Sequence, residues 1–112
     1  MTIEQIVIGY LATQLNGIPV VAEIPENEPS EYIVVEKTGG GIVNRIRNAT
    51  LAIKSVSTSL LDAAELNDAV VAAMQEIVTL DTVMKCELNS DYNYTDTRTK
   101  RYRYQAVFDL IY

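Results

Sequence analysis

Apolar residues fall along the chain with two alternating periods, and these divide it into seven elements. Ile3, Ile6, Val7, Tyr10 and Leu11 recur at helical spacing, and Thr2 followed three residues on by Gln5 has the form of a capping box, so a first helix is expected from Ile3 to about Leu15. Asn16-Gly17 supplies its stop. Ile18 to Glu23 reads as a short strand whose Pro19, lacking an N–H, suits a strand start or an edge. A polar connection with two prolines, Pro25 to Ser30, leads into the β-rich run Glu31 to Lys37. Ala49 to Ser57 has the two-residue period of a half-buried strand, with Leu51 and Ile53 interleaved by Thr50, Ala52 and Lys54. A second helix is expected from Ser59 to about Val78: Ser59 and Asp62 fit a second capping box, and Leu66, Val70, Ala73, Met74 and Ile77 share a face. Thr82 to Leu88 reads as a strand, Asn89 to Thr99 as a polar turn region, and Lys100 to Tyr112 as the last strand. In that strand Tyr102, Tyr104, Ala106, Phe108, Leu110 and Tyr112 lie on one face, and Arg101, Arg103, Gln105 and Asp109 on the other.

This order, α-β-β-β-α-β-β, predicts a single α+β domain over residues 1–112, with a mostly antiparallel sheet of about five strands and two helices packed on one face. Between the second and third strands lies Gly39-Gly40-Gly41, followed by Arg45 and Arg47. Three consecutive glycines lose much backbone entropy on ordering, so Thr38 to Asn48 is expected to be an irregular, mobile loop that orders only on assembly.

Charge sharpens the picture when counted by segment. The chain of 112 residues carries a formal net charge of -6, which argues against general nucleic-acid binding. Residues 1–36 hold six acids and no base, residues 37–57 four bases and no acid, residues 58–96 eight acids and one base, and residues 97–112 four bases and one acid. Such blocks pair either within the fold or between copies in a ring. No apolar run reaches 18 residues and the opening Met1-Thr2-Ile3-Glu4 lacks a basic leader, so neither a membrane nor secretion is expected, and the cytoplasm is the default. The single cysteine, Cys86, has no intrachain partner.

The candidate chemistry thins quickly. The chain has no histidine, which removes the commonest general base and most zinc sites. Cys86 alternates with Met84 and Leu88 and reads as a small buried hydrophobe. Lys37-Thr38-Gly39 resembles an element of penicillin-recognising enzymes, but no Ser-x-x-Lys supplies the nucleophile. The glycine run precedes a strand and lacks a following Gly-Lys-Ser/Thr, so it does not form a phosphate loop. Asp91, Asn93 and Thr95 have calcium-loop spacing, yet Asp96 stands where glycine is required and Tyr102 where the bidentate acid belongs. Asp62, Glu65 and Asp68 line a solvated helix flank. Tyr92, Tyr94, Tyr102 and Tyr104 lie among Arg98, Lys100, Arg101 and Arg103, a mixture that can stack on single-stranded nucleic acid; the alternation places the strand rings opposite the arginines, in core or interface. No enzyme, cofactor or metal is expected.

Three stretches carry a family resemblance: Val21 to Pro29 leading into Glu31 to Gly40, Ala49 to Ser57 followed by Ala63-Ala64-Glu65-Leu66, and Arg103 to Phe108. In order along nearly the whole chain, they resemble the tail terminator (tail completion) proteins of long-tailed bacteriophages and prophages. The resemblance implies a small structural subunit, assembled in the host bacterial cytoplasm and located in the virion tail, that forms a hexameric ring. Its implied partners are further copies of itself, the tail tube protein and the head-tail connector, with no nucleic-acid sequence recognition and no membrane. Thr38 to Asn48 matches the family's strand-to-strand loop, so Gly39, Gly40, Gly41, Arg45 and Arg47 are the expected protein-interaction residues. The alternatives are a head-tail joining or tail tube subunit, or a cytoplasmic small-ligand-binding α+β module.

Overall fold

A computed structural model describes residues 1–96, 98 and 101–112. The elements are helix α1 (Ile3–Gln14), strands β1 (Val20–Val21), β2 (Tyr32–Val43) and β3 (Ile46–Ser57), helix α2 (Leu60–Gln75), a 3-10 turn (Ile77–Thr79), and strands β4 (Lys85–Asn93) and β5 (Tyr102–Ile111). The five strands form one sheet in the order β1-β2-β3-β5-β4. Only β1 against β2 is parallel; the other pairs are antiparallel. This is the expected α+β architecture in the expected order.

The local signals at the helix ends are realised. At α1 the Gln5 N–H donates to Thr2 Oγ1 (3.2 Å) while the Thr2 N–H donates to Gln5 Oε1 (2.8 Å), closing the capping box. The chain leaves α1 through Gly17, whose φ of +88° is a conformation side chains disfavour. Ser59 Oγ caps α2 by accepting from the Asp62 N–H at 3.1 Å; the aspartate, shorter than Gln5, makes no return bond. α2 ends at Gln75, before the expected Val78, and the last apolar residues continue as the 3-10 turn. No described helix is long and apolar enough to cross a membrane.

Both helices pack on the same sheet face. Ile3, Val7 and Leu11 of α1 and Leu66, Val70 and Met74 of α2 bury against Ile33 and Val35 of β2, Leu51 and Ile53 of β3, and Ala106, Phe108 and Leu110 of β5. Polar contacts are set into this layer: the Tyr10 hydroxyl of α1 donates to the Ala73 carbonyl of α2 at 2.7 Å. Asn67 of α2 is 1% exposed and its Nδ2 donates to Asp91 Oδ1 on β4 at 2.7 Å. Asp91 therefore orients α2 over the sheet. Asp91→Ala should cost about 1–3 kcal/mol, because it leaves a buried amide donor unpaired; the midpoint of urea unfolding measures it, and an unchanged midpoint would mean that water satisfies Asn67.

Several boundaries differ from the sequence expectation. The first strand is only Val20–Val21, because β1 pairs with no more than Ile33 and Val34. β4 runs on to Asn93, through part of the expected turn region, with a register shift between Leu88 and Ser90 that takes up Asn89. β5 begins at Tyr102; the expected start at Lys100, and Thr97 and Thr99 of the expected turn, lie outside the described residues. The largest correction is to Thr38–Asn48, which is not an irregular loop. β2 and β3 are each twelve residues long, and their ladder continues through Gly39, Gly40 and Gly41, which pair with Thr50, Ala49 and Asn48.

Candidate functional site

The extended ladder makes an arm. Asn44 and Arg45 form a two-residue hairpin turn with φ of +50° and +67°, the backbone of a type I′ turn, which suits the natural twist of paired strands. Asparagine tolerates that conformation well and arginine less so. β-Branched Ile42, Val43 and Ile46 favour extended backbone on either side of the turn, and each added ladder bond offsets the entropy lost by the glycines. Every residue from Glu36 to Arg47 is exposed, and the molecule is elongated, 44 × 25 × 24 Å.

A bulge starts the arm. Register shifts between Lys37 and Gly39, so Thr38 is the extra residue, and its Oγ1 donates to the Thr50 carbonyl at 3.3 Å. The shift brings Gly40 onto the same side as Lys37. A Cβ at Gly40 would meet Lys37 Cε at 2.8 Å and the Asn48 carbonyl oxygen at 2.9 Å, so a side chain there displaces backbone. Gly39 has open space and Gly41 only ordinary contact. The same side holds a shallow cleft of about 220 Å³ lined by Lys37, Gly40, Ile42, Arg47 and Tyr112.

The five expected interaction residues therefore lie on one hairpin, in different settings. Arg45 is at its tip. Arg47 is anchored at its base, where its guanidinium lies 4.8 Å from the Tyr112 ring centroid and its carbonyl accepts from the Tyr112 N–H at 3.0 Å. Among the described residues, none of Lys37, Arg45 and Arg47 has a carboxylate partner. Lys54, the fourth base of the segment, belongs elsewhere: it pairs with Glu36 at 3.0 Å on the sheet face away from the helices. Sequence reasoning missed the apolar tip. Ile42, Val43 and Ile46 are 67%, 64% and 48% exposed, and the signal for them was the apolar pair Ile42-Val43 set two residues before Ile46 across Asn44-Arg45.

A second concavity, about 280 Å³, lies on the sheet face away from the helices. Its floor is Tyr32, Val34 and Val56, a small apolar cluster separate from the main core. The Tyr32 hydroxyl donates to Glu28, and Arg101 Nη2 donates to the Pro29 carbonyl at 2.9 Å. These bonds fasten the Pro25–Ser30 connection across the sheet. Arg101 also lies 5.7 Å from the Tyr32 ring centroid. Burial, then the hydrogen bond and charge of Glu28, push the Tyr32 phenol up to about 12. The protonated phenol is the form that donates to Glu28. The unfolded chain releases this proton near the ordinary value of 10, so between about pH 10 and 12 the unfolded state binds fewer protons and stability falls as pH rises. Alkaline unfolding followed by circular dichroism should show that loss, and Tyr32→Phe should flatten it; an unchanged profile would mean that Tyr32 ionises freely.

The remaining candidate chemistry disperses. Arg103 and Lys54 both lie over the Tyr94 ring, 5.3 and 5.7 Å from its centroid, and Tyr92 meets Tyr94 edge-on at 6.1 Å. The Tyr94 ring thus already has two protein cations as partners. Asp91 turns toward Asn67, and Asn93 Oδ1 accepts from the Thr95 N–H at 3.0 Å, so the calcium-spaced residues do not converge. Among the described residues no group of His, Cys, Asp and Glu could hold a metal. Burial, with Asp109 and Glu87 adding to it, pushes the Cys86 thiol up to about 11, which keeps it protonated and a poor nucleophile. In comparisons with known proteins, no family model and no curated sequence matches the chain.

Proposed function

We propose that this protein is a ring-forming structural protein of a phage or prophage tail, the tail terminator that caps the finished tube and meets the head connector. One observation carries the assembly role: a paired, exposed hairpin bearing Lys37, Arg45 and Arg47, which have no carboxylate partner among the described residues, on a chain whose net charge is -6. Among the described residues, Arg47 has the Tyr112 ring as a partner within the single copy, while Ile42, Val43 and Ile46 of the arm stay exposed. A partner surface of opposite sign gives the arm's bases a role, since complementary charge guides encounter and fixes register. The arm's apolar tip supplies the desolvated contact that such an interface needs. The sequence resemblance narrows assembly in general to the tail terminator, with the ring hexameric and the tube and connector proteins as its neighbours.

Labelled electron microscopy of virions tests this reading. A single label at the head-proximal end of each tail is expected. Label along the whole tube would make the protein a tube subunit, and virions without label would remove it from the particle.

A further inference from the structure

Among the described residues the sheet has two unpaired edges. On one side β1 covers only Ile33 and Val34, so the outer edge of β2 is open from Lys37 onward; on the other, β4 is the last strand. Following the pairing across the sheet gives matched rows. Gly41 pairs with Asn48, Asn48 with Ile111 and Ile111 with Lys85; in the same way Gly40 shares a row with Cys86, Gly39 with Glu87 and Lys37 with Leu88. Three successive antiparallel steps also leave β2 and β4 running in opposite directions. The open stretches therefore stand at the same height and have the polarity of an antiparallel pair.

We infer that β4 of a second copy, over Lys85–Glu87, adds to the glycine edge of β2, over Gly39–Gly41, and that the sheet continues from copy to copy. This rests on the ring reading above and names its contact. Free edges are ordinarily blunted by proline, inward charge or a bulge. Here the β2 bulge at Thr38 falls before Gly39 and the β4 bulge falls after Leu88, leaving Gly39–Gly41 and Lys85–Glu87 between them in unbroken register. The three glycines present no side chain to a strand approaching from outside.

What lies beyond the paired rows also matches. Near the ends of these stretches Ile42 and Met84 are 67% and 65% exposed in the single copy, apolar surface that a second copy could cover. The connection from α2 into β4 carries exposed Glu76 and Asp81 and no base over residues 76–84. It offers Arg45 at the arm's tip an opposite charge, where none of the described carboxylates of its own copy pairs with it. Because the two edges differ, the contact is head-to-tail. It closes into a ring or runs on as a filament, and does not stop at a symmetric dimer.

Cysteine pairs placed in matched rows test this, since adjacent strands lie about 4.8 Å apart and opposed Cβ atoms there come within disulfide reach. Gly39→Cys is sterically open and Gly41→Cys meets only ordinary contacts. In a Cys86→Ser background, Gly39→Cys with Glu87→Cys, and separately Gly41→Cys with Lys85→Cys, should give a ladder of cross-linked multimers on mild oxidation. Gly39→Cys with Asp62→Cys on α2 should not. Native mass is measured on the same samples. Multimers that never cross-link through either matched pair, or that cross-link equally through the control, would overturn the strand pairing and leave assembly standing. Monomers without cross-links would overturn both.

Discussion

Phe108→Ala should lower stability by about 3–5 kcal/mol, the range for removing a buried aromatic ring. Phe108 is 1% exposed and lies on β5, in the row that joins Leu51 of β3 to Leu88 of β4. It also belongs to the one core cluster that both helices share, so the cavity opens under the helix layer. Single domains are held by only about 5–15 kcal/mol, so the variant should lose a large part of its stability. Urea unfolding should show a lower midpoint at an unchanged slope. A loss well under 2 kcal/mol would mean that the ring is not enclosed as described.

Arg45→Glu combined with Arg47→Glu should abolish assembly and leave the fold intact. Of the arm's three bases, only Lys37 remains, opposed by two acids. The exposed positions bear little on stability, since surface substitutions are commonly worth within about 0.5 kcal/mol. The exception is the Arg47 contact with Tyr112, which an exposed cation–π pair values at about 0.5–1 kcal/mol. Thermal unfolding should therefore stay close to wild type while tails fail to mature in a complementation assay. Normal tails from the doubly reversed variant would sink the role assigned to the arm. Gly39, where a side chain has open space, provides a milder control: Gly39→Ala should leave folding unharmed.

How legible these features were in the sequence depended on how local their causes are. Thr2 and Gln5 specify the start of α1 within four residues, and the alternation from Ala49 to Lys54 fixes which side of β3 is buried. Both are realised. The arm was misread because glycine was weighed by its own entropy, whereas Gly39–Gly41 are ordered by bonds to Asn48, Ala49 and Thr50 across a turn. The Asn44-Arg45 turn lacks the glycine that would have announced a hairpin. The bulges at Thr38 and Asn89 shift register by one residue, and an alternation count that meets such a shift ends the strand early. The burial of Asn67 depends on a partner 24 residues away, Asp91 of β4, and no local pattern in α2 announces it. The charged arm residues were legible because charge segregation survives any secondary-structure assignment. Their separate settings, Arg47 on Tyr112 and Lys54 with Glu36, depend on strand pairing.

The central claim is that an exposed arm on one copy holds the next copy in a ring. Light scattering coupled to size-exclusion chromatography at high protein concentration tests it most directly. The account predicts a discrete particle of about six times the 12.4 kDa protomer, lost on Arg45→Glu with Arg47→Glu. A wild-type protein that stays at protomer mass at every concentration would contradict it.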